Sequence, residues 1–461
     1  MKTITFCLAL IFATLWVPHL ASAQSASTTA NTLSQTNVPR LIQKVKEAKA
    51  LLQATSLSLS TKPVYKKTKV KVGKKTQTKT ILSNYALDKK NIALAILDPS
   101  TDEILITIGT QSKTNQTFPS TDRTEVKLVR FNGVNSLYQV NKPQGGVVVG
   151  LKYFITPTES GSVEQIKNDA YGALYTPYSS ALNTPEVAKY GNDYIQNLIN
   201  KVATDFNTLP STYDNTKTIT QAIDPALIRA LLYAEHMDTN SFLATKDTQS
   251  LIDKINVLFA VNEGDTYRYS VSSANARGLA QFIPSTYKGL VAGHPDANLV
   301  EDFVLGMNDH ENSVKSMYLL LDEYIKGVYL RATDSFIPAH AFDYGAAAYN
   351  GGVYRISQAA KQFGATWYQD QAEFRKTLSS RVTTLKSGIN SLNKQIKKAN
   401  NTAKSKLNKE LNALKTQLSD ANDQLNSFDN ATLRDETIHY IEKMHRLIQV
   451  FNDQPTLLSQ N

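Results

Sequence analysis

The hydrophobic period of this chain shifts from short β-type runs to helical spacing partway along its length, and that shift constrains the architecture more than any other feature. From Lys62 to about Thr156 the apolar residues fall in short β-type runs: Val64 through Val72, Ile92 to Leu97, Ile104 to Ile108 and Gly145 to Phe154. Turn clusters such as Asp98-Pro99-Ser100-Thr101-Asp102 separate these runs. From Asp224 onward the apolar residues recur at the three-and-four spacing of helices. A chain of 461 residues is too long for one ordinary core. The reading is an α+β multidomain protein, with a small antiparallel β-rich domain over 62–156 and a connecting region over 157–223. A mostly helical domain follows over 224–375 and closes with a helix over 431–453.

Between the two helical parts, 376–430 carries a pattern of its own. Leu378, Val382, Leu385, Ile389, Leu392 and Ile396 alternate by four and three. After the polar break Ala399-Asn400-Asn401-Thr402 the pattern resumes at Leu407, Leu411, Leu414, Leu418, Ala421, Leu425 and Phe428. Such a pattern predicts an inserted antiparallel helical hairpin with a coiled-coil seam, each arm reaching about 30 Å. Its lysines, Lys394, Lys397, Lys398, Lys404, Lys406 and Lys409, form a solvated exterior or a contact for anionic wall or membrane. Within 24–61, Gln24 to Asn37 reads as a polar spacer. Pro39 then opens a helix with Leu41, Ile42, Val45, Ala48, Leu51 and Leu52 at helical spacing.

The first 23 residues read as a secretory signal peptide: Lys2, an apolar stretch from Ile4 to Val17, and an Ala21-Ser22-Ala23 cleavage site. The expected destination is therefore exported, in the periplasm or cell envelope, with no stable transmembrane span after cleavage. The single cysteine, Cys7, lies inside the leader, so a mature chain would hold no disulfide, thiol nucleophile or Cys-ligated metal. A formal charge of +10 suits either solubility or anionic partners nearby. No interleaved aromatic and basic motif of a nucleic-acid module is present, so nucleic acid is not an expected partner. The β-rich part contains no Ser-His-Asp set, metal-ligand cluster or Gly-rich phosphate loop, and reads as a binding, docking or spacing module. Tyr171, Tyr175 and Tyr178 in the connecting region can stack on sugars or fill a domain junction, and the junction is the commoner use of buried tyrosine.

Chemistry-bearing residues concentrate in the helical part. Asp224-Pro225 starts a helix as N-cap and first helical residue. Leu227, Ala230, Leu231 and Ala234 then mark a buried face, and Glu235 stands at its end. A carboxyl at the edge of a core has its pKa raised by desolvation, as an acid catalyst requires. The segment Ser272 to Thr286 combines a small-residue turn, Gly278-Leu279-Ala280-Gln281 and a Pro284-Ser285-Thr286 stop. Ala348-Tyr349-Asn350-Gly351-Gly352 lies further on.

In this order the segments resemble the catalytic domain of the soluble lytic transglycosylases, lysozyme-like enzymes that cut peptidoglycan glycan strands. The Asp-Pro helix ending in Glu235 resembles the one that delivers the family's catalytic Glu. Ser272 through Gln281 is similar to its Ser-containing Gly-Leu-x-Gln motif, and Ala348-Tyr349-Asn350 to its Ala-Tyr-Asn motif. Asn308 to Val314 resembles the helix start between those two. Glu436-Thr437-Ile438-His439-Tyr440-Ile441 resembles the closing Glu-Thr-x-x-Tyr-Val motif. The resemblance implies catalysis by Glu235, with Ser272, Gln281, Tyr349, Asn350 and Tyr440 lining the substrate cleft and Tyr440 near the acid. It implies no cofactor and no metal.

The departures are a His236 where the family has Ser, and a long segment between Glu235 and Ser272 where it has a short loop. Asn275 and Ala280 stand for a customary Gly and Met. Glu263 sits at the family's usual spacing to Ser272, but Glu235 is favoured on its helix context.

The implied reaction is cleavage of the MurNAc-GlcNAc β-1,4 linkage with formation of 1,6-anhydro-MurNAc. A hydrolytic muramidase using Glu263 or Asp265 as second carboxylate is one alternative, and a non-catalytic wall-binding or assembly scaffold is another. The expected partner is the peptidoglycan glycan strand, with the β-rich part or the helical hairpin free to dock a cell-envelope protein.

Overall fold

The structure is a computed structural model, described here for residues 38–72, 75–369 and 372–453. The expected leader and the spacer up to Asn37 lie outside the described residues. The protein is α+β: an N-terminal antiparallel sheet region is followed by a largely helical region.

Helix α1 (Val38–Ala54) buries Leu41, Ile42, Val45, Ala48 and Leu52, while Leu51 is exposed. The strands are β1 (Leu59–Val72), β2 (Lys75–Leu97), β3 (Ile104–Ser112), β4 (Asn115–Thr117), β5 (Glu125–Arg130), β6 (Leu137–Lys142), β7 (Val147–Ile155), β8 (Ser160–Gly161) and β9 (Tyr171–Tyr175). Seven of them form one sheet around the order β4-β3-β2-β7-β9, with β1 and β8 paired to the outer half of β2; β5 and β6 pair separately. The alternation of a pleated strand sets the two faces. Ala93, Ala95, Leu97, Val147 and Val149 pack on α1. Ile92, Leu94, Ile96, Val148 and Leu151 pack on the other side with Val126 of β5.

The helices that follow are α2 (Val163–Asn168), α3 (Pro185–Asp205), α4 (Ile219–Ala222), α5 (Pro225–His236), α6 (Thr239–Ala244), α7 (Thr248–Asn262), α8 (Pro284–Gly293), α9 (Phe303–Asn308), α10 (His310–Arg331), α11 (Ala341–Gly351), α12 (Val353–Phe363), α13 (Ala372–Lys398), α14 (Asn401–Ala431) and α15 (Asp435–Asp453). Two of them, α5 and α10, run through the main helical core. The long segment after Glu235 folds into α6 and α7. Helix α7 is buried on most of its surface, and its Val257, Ala260 and Val261 join Val187 of α3 in the core under α1 and the sheet. This segment thus ties the helical region to the sheet. Of the connecting tyrosines, Tyr175 is buried, Tyr178 packs against the same core and Tyr171 is exposed.

Helices α13 and α14 pair antiparallel, with Arg375 donating to Asp429 at 2.7 and 3.1 Å near the root and Asn400 capping α14 at Ala403 N. Val382, Leu411, Ala421 and Phe428 are buried, whereas most other seam positions stay part-exposed because a two-helix seam covers one side only. With 27 and 31 residues, the arms are about 40 and 46 Å long. At its far end α14 runs back into the body, where Phe428 meets Phe363 of α12 edge-on at 5.2 Å. Among the described residues no helix is long and apolar enough to cross a membrane.

Candidate functional site

Asp224 accepts from Ala226 N at 2.8 Å and caps α5; Pro225 fills the first helical position, where its missing N–H costs nothing. Leu227, Ile228, Ala230, Leu231, Leu232, Tyr233 and Ala234 are buried, which fixes the axial rotation of the helix. Glu235 comes one residue later, at the core's edge. Its side chain is densely surrounded by protein yet half-buried rather than sealed.

Two α15 residues complete its surroundings. Tyr440 donates its hydroxyl to Glu235 Oε1 at 2.5 Å. One turn on, the buried Lys443 donates to Met237 O at 2.9 Å, to Ala234 O at 3.3 Å and to Thr239 Oγ1 at 3.2 Å. This ammonium therefore caps the carbonyl end of α5, where the helix dipole favours a cation. Burial pushes the Glu235 carboxyl up from 4.5 to about 7, partly offset by the Tyr440 hydrogen bond and the Lys443 charge, while Glu436 adds to the rise. Burial likewise lowers the Lys443 pKa. Glu235 thus exchanges a proton near neutral pH, the property that lets one group act first as acid and then as base.

The 270–282 loop is the second wall. Gly278 has φ +66, and a Cβ there would sit 2.0 Å from Met307 O, so only glycine lets this loop close on the end of α9. Tyr267, Asn275 and Gln281 also have positive φ, at 62, 61 and 52. Asn is among the few residues that enter this region readily, which suits Asn275 to its place in the turn. Backbone strain of this kind collects at functional sites. Two aromatic contacts hold the loop to the Glu235 helix and its neighbour. His236 stacks on Tyr267 with ring centroids 3.4 Å apart, and its Nε2 lies 2.8 Å from Leu279 O. Burial pulls the imidazole down to about 3, so it is neutral, and Nε2 carries the proton because a carbonyl only accepts. Tyr349 on α11 donates to Ala280 O at 2.6 Å; burial and the nearby Glu235 raise its pKa well above the usual value.

Glu235, Tyr440, Tyr349 and the Leu279–Ala280 backbone are therefore gathered at one place. Asn350 is linked to them through α15, accepting from Thr437 Oγ1 at 2.9 Å. Gln281 spends its amide nitrogen on Gly278 O at 2.8 Å and Ser270 Oγ at 3.3 Å, leaving its carbonyl oxygen for another group. Ser272 is exposed, and its hydroxyl accepts from Ala274 N and Ala276 N at 3.2 and 3.0 Å; it shapes the turn. Glu263 ends α7, accepts from Tyr190 at 3.1 Å and lies 3.6 Å from Lys46. Asp265 pairs with Arg268 at 3.0 Å.

The expected helix start at 308–314 is α10. Asp309 caps it at Asn312 N, 3.0 Å away. His310 is buried between Tyr194 (3.0 Å) and Thr266 O (2.8 Å), and burial lowers its pKa.

Lys443 and Tyr267 escaped the sequence reading. Lys443 was recoverable from period, since 436, 440 and 443 share one helix face; Tyr267 carried no such signal. Among the described residues no group of three or more His, Cys, Asp or Glu is placed to hold a metal. No family model, curated protein or solved structure matches this chain, so a functional reading rests on its own residues and their geometry.

Proposed function

We propose that this protein is a peptidoglycan lytic transglycosylase. On this reading, 224–375 and 431–453 form a lysozyme-like catalytic domain, the α13–α14 hairpin is its insertion, and the exported protein works in the periplasm or cell envelope. The observation that carries the proposal is the environment of Glu235: one carboxyl, pushed up to about 7 by burial, held by Tyr440 at 2.5 Å beside a loop that passes through positive φ at Gln281.

A single carboxyl of this kind fits a one-acid mechanism, the substrate-assisted route among glycoside cleavages. Neutral Glu235 gives its proton to the oxygen between MurNAc C1 and GlcNAc C4, and that C–O bond breaks with the oxygen leaving on GlcNAc. The oxocarbenium-like charge at C1 is shared by the substrate's own N-acetyl oxygen. Ionised Glu235, steadied by the Tyr440 hydroxyl, then takes the proton of the MurNAc C6 hydroxyl as that oxygen attacks C1. The product is a 1,6-anhydro ring, Glu235 is again neutral, and no water is consumed.

Hydrolysis through a second carboxylate gains no support from Glu263 or Asp265, each of which is engaged with its own partners. The test is release of soluble fragments from intact peptidoglycan by the wild type and by Glu235→Gln. A loss of about a hundredfold or more is expected in the variant. Undiminished release by the variant would remove Glu235 from the chemistry, and no release by the wild type would favour a scaffold.

A further inference from the structure

Strands β1 and β2 continue well beyond the sheet. Pairing of β2 with β3 and β7 starts at Lys90 and Ile92, and its pairing with β8 is confined to Tyr85 and Ala86. From Tyr65↔Leu82 to Val72↔Lys75 the two strands pair only with each other, as a ribbon about 25 Å long. No acidic residue occurs between Glu47 and Asp88, while Lys66, Lys67, Lys69, Lys71, Lys75 and Lys79 all stand exposed on the ribbon. None of the six forms an ion pair among the described residues; the root lysine, Lys62, pairs with Asp88 at 3.1 Å.

The register sorts these charges. Lys67, Lys69 and Lys71 face Thr80, Thr78 and Thr76 across the ribbon, so one face carries cations about 6.7 Å apart beside a row of hydroxyl donors. Lys66, Lys75 and Lys79 lie on the other face. Like charges in one row destabilise a two-stranded ribbon that is marginal without a core, and no counter-charge lies against them among the described residues. An anionic partner relieves that repulsion.

The distribution also selects among anions. A flat lipid surface reaches one face of a ribbon and leaves the other three lysines pointing away. Among the described side chains the exposed apolar ones, Val64, Tyr65, Ile81 and Leu82, are at the root of the ribbon, where a surface approached end-on does not reach. A mesh of flexible polymer carrying spaced carboxylates can meet both faces.

We propose that the β1–β2 ribbon is a tether for the carboxylate-bearing peptide stems of peptidoglycan. It would hold the enzyme on its polymer by charge while the Glu235 site finds a glycan bond, raising the effective substrate concentration at the site. The proposal rests on the function proposed above, but its test reads binding alone, so failure of either can be told apart.

The chain carrying Glu235→Gln is sedimented with intact peptidoglycan sacculi, alone and with Lys67, Lys69 and Lys71 changed to Gln, then with Lys66, Lys75 and Lys79 changed as well. Binding should weaken about tenfold or more in the triple variant and further in the sixfold one, and a triple Lys→Arg variant should keep it. Sacculi whose carboxylates have been amidated should bind parent and variants equally weakly. The difference should also fade between about 50 and 300 mM salt. Parent-like binding by the sixfold variant would overturn the proposal. So would lysine-dependent binding that appears on phosphatidylglycerol vesicles or a DNA duplex and not on sacculi. Ribbon-dependent binding by a wild type that cuts nothing would keep the tether and reject the enzyme.

Discussion

Replacing Glu235 with Gln should stabilise the fold, and by an amount that depends on pH. The folded carboxyl titrates at about 7 against an ordinary 4.5. Its raised value means the folded state holds a proton that the unfolded chain has released, so stability falls as pH rises from 4.5 to 7 and levels off above. The whole loss is about 3 kcal/mol, of which about 2.5 falls between pH 5 and pH 8. The opening of Glu235 to solvent makes these upper values. Gln cannot titrate, yet its amide oxygen can still accept from Tyr440. Urea unfolding of both proteins at pH 5 and pH 8 measures the effect. In a chain expressed from residue 24, Trp367 is the one tryptophan, and it is buried in the helical region, so its fluorescence reports on the right part. The variant should gain about 2–3 kcal/mol on the wild type between the two pH values. A variant whose stability stays parallel to wild type at both, or falls at pH 8, would refute the argument that burial loads this carboxyl.

Other substitutions test the surroundings of the site. Tyr440→Phe and Lys443→Met each remove a group that draws the Glu235 pKa down, so both should move its titration above 7, read from the basic limb of the activity profile; a downward shift would contradict the assignment. Gly278→Ala places a methyl 2.0 Å from Met307 O at φ +66 and should cost about 2 kcal/mol or more. Gly352→Ala, with φ +81 and nothing within 4 Å, should cost about 1 kcal/mol, and equal losses in thermal melts would undo this contrast. Asp322 is fully buried and accepts from Thr212 N and Oγ1 at 2.6 and 2.7 Å and from the Ser211 hydroxyl. Asp322→Ala should therefore destabilise by about 3 kcal/mol, seen as a lower urea midpoint.

What the sequence made legible was whatever burial imposes on residue order. The α5 face, the α1 face and the core strands Ile92–Leu97 and Val147–Ile155 carry apolar side chains because they are buried, and each could be read in advance. The ribbon half of β2 could not: Lys75 to Ser83 is exposed on both faces, and a strand that buries neither face leaves no alternation to read. Helix α7 was hidden differently. It is buried nearly all round, so its apolar residues show no clean period. Within the site, Glu235 and Tyr440 were readable through helix position and resemblance. The engagement of Ser272 and Gln281 with their own loop was not, because hydrogen bonds inside a turn depend on φ values that no residue pattern prints.

The central claim is that Glu235 drives an intramolecular ring closure on MurNAc without using water. Digestion of intact peptidoglycan in water enriched in oxygen-18, with mass spectrometry of the released fragments, addresses it directly. The account predicts new muramic ends in the anhydro form carrying no solvent oxygen, and their absence with Glu235→Gln. Reducing ends that have taken up the heavy oxygen would contradict it, because they would mean that water, and not the C6 hydroxyl, attacks C1.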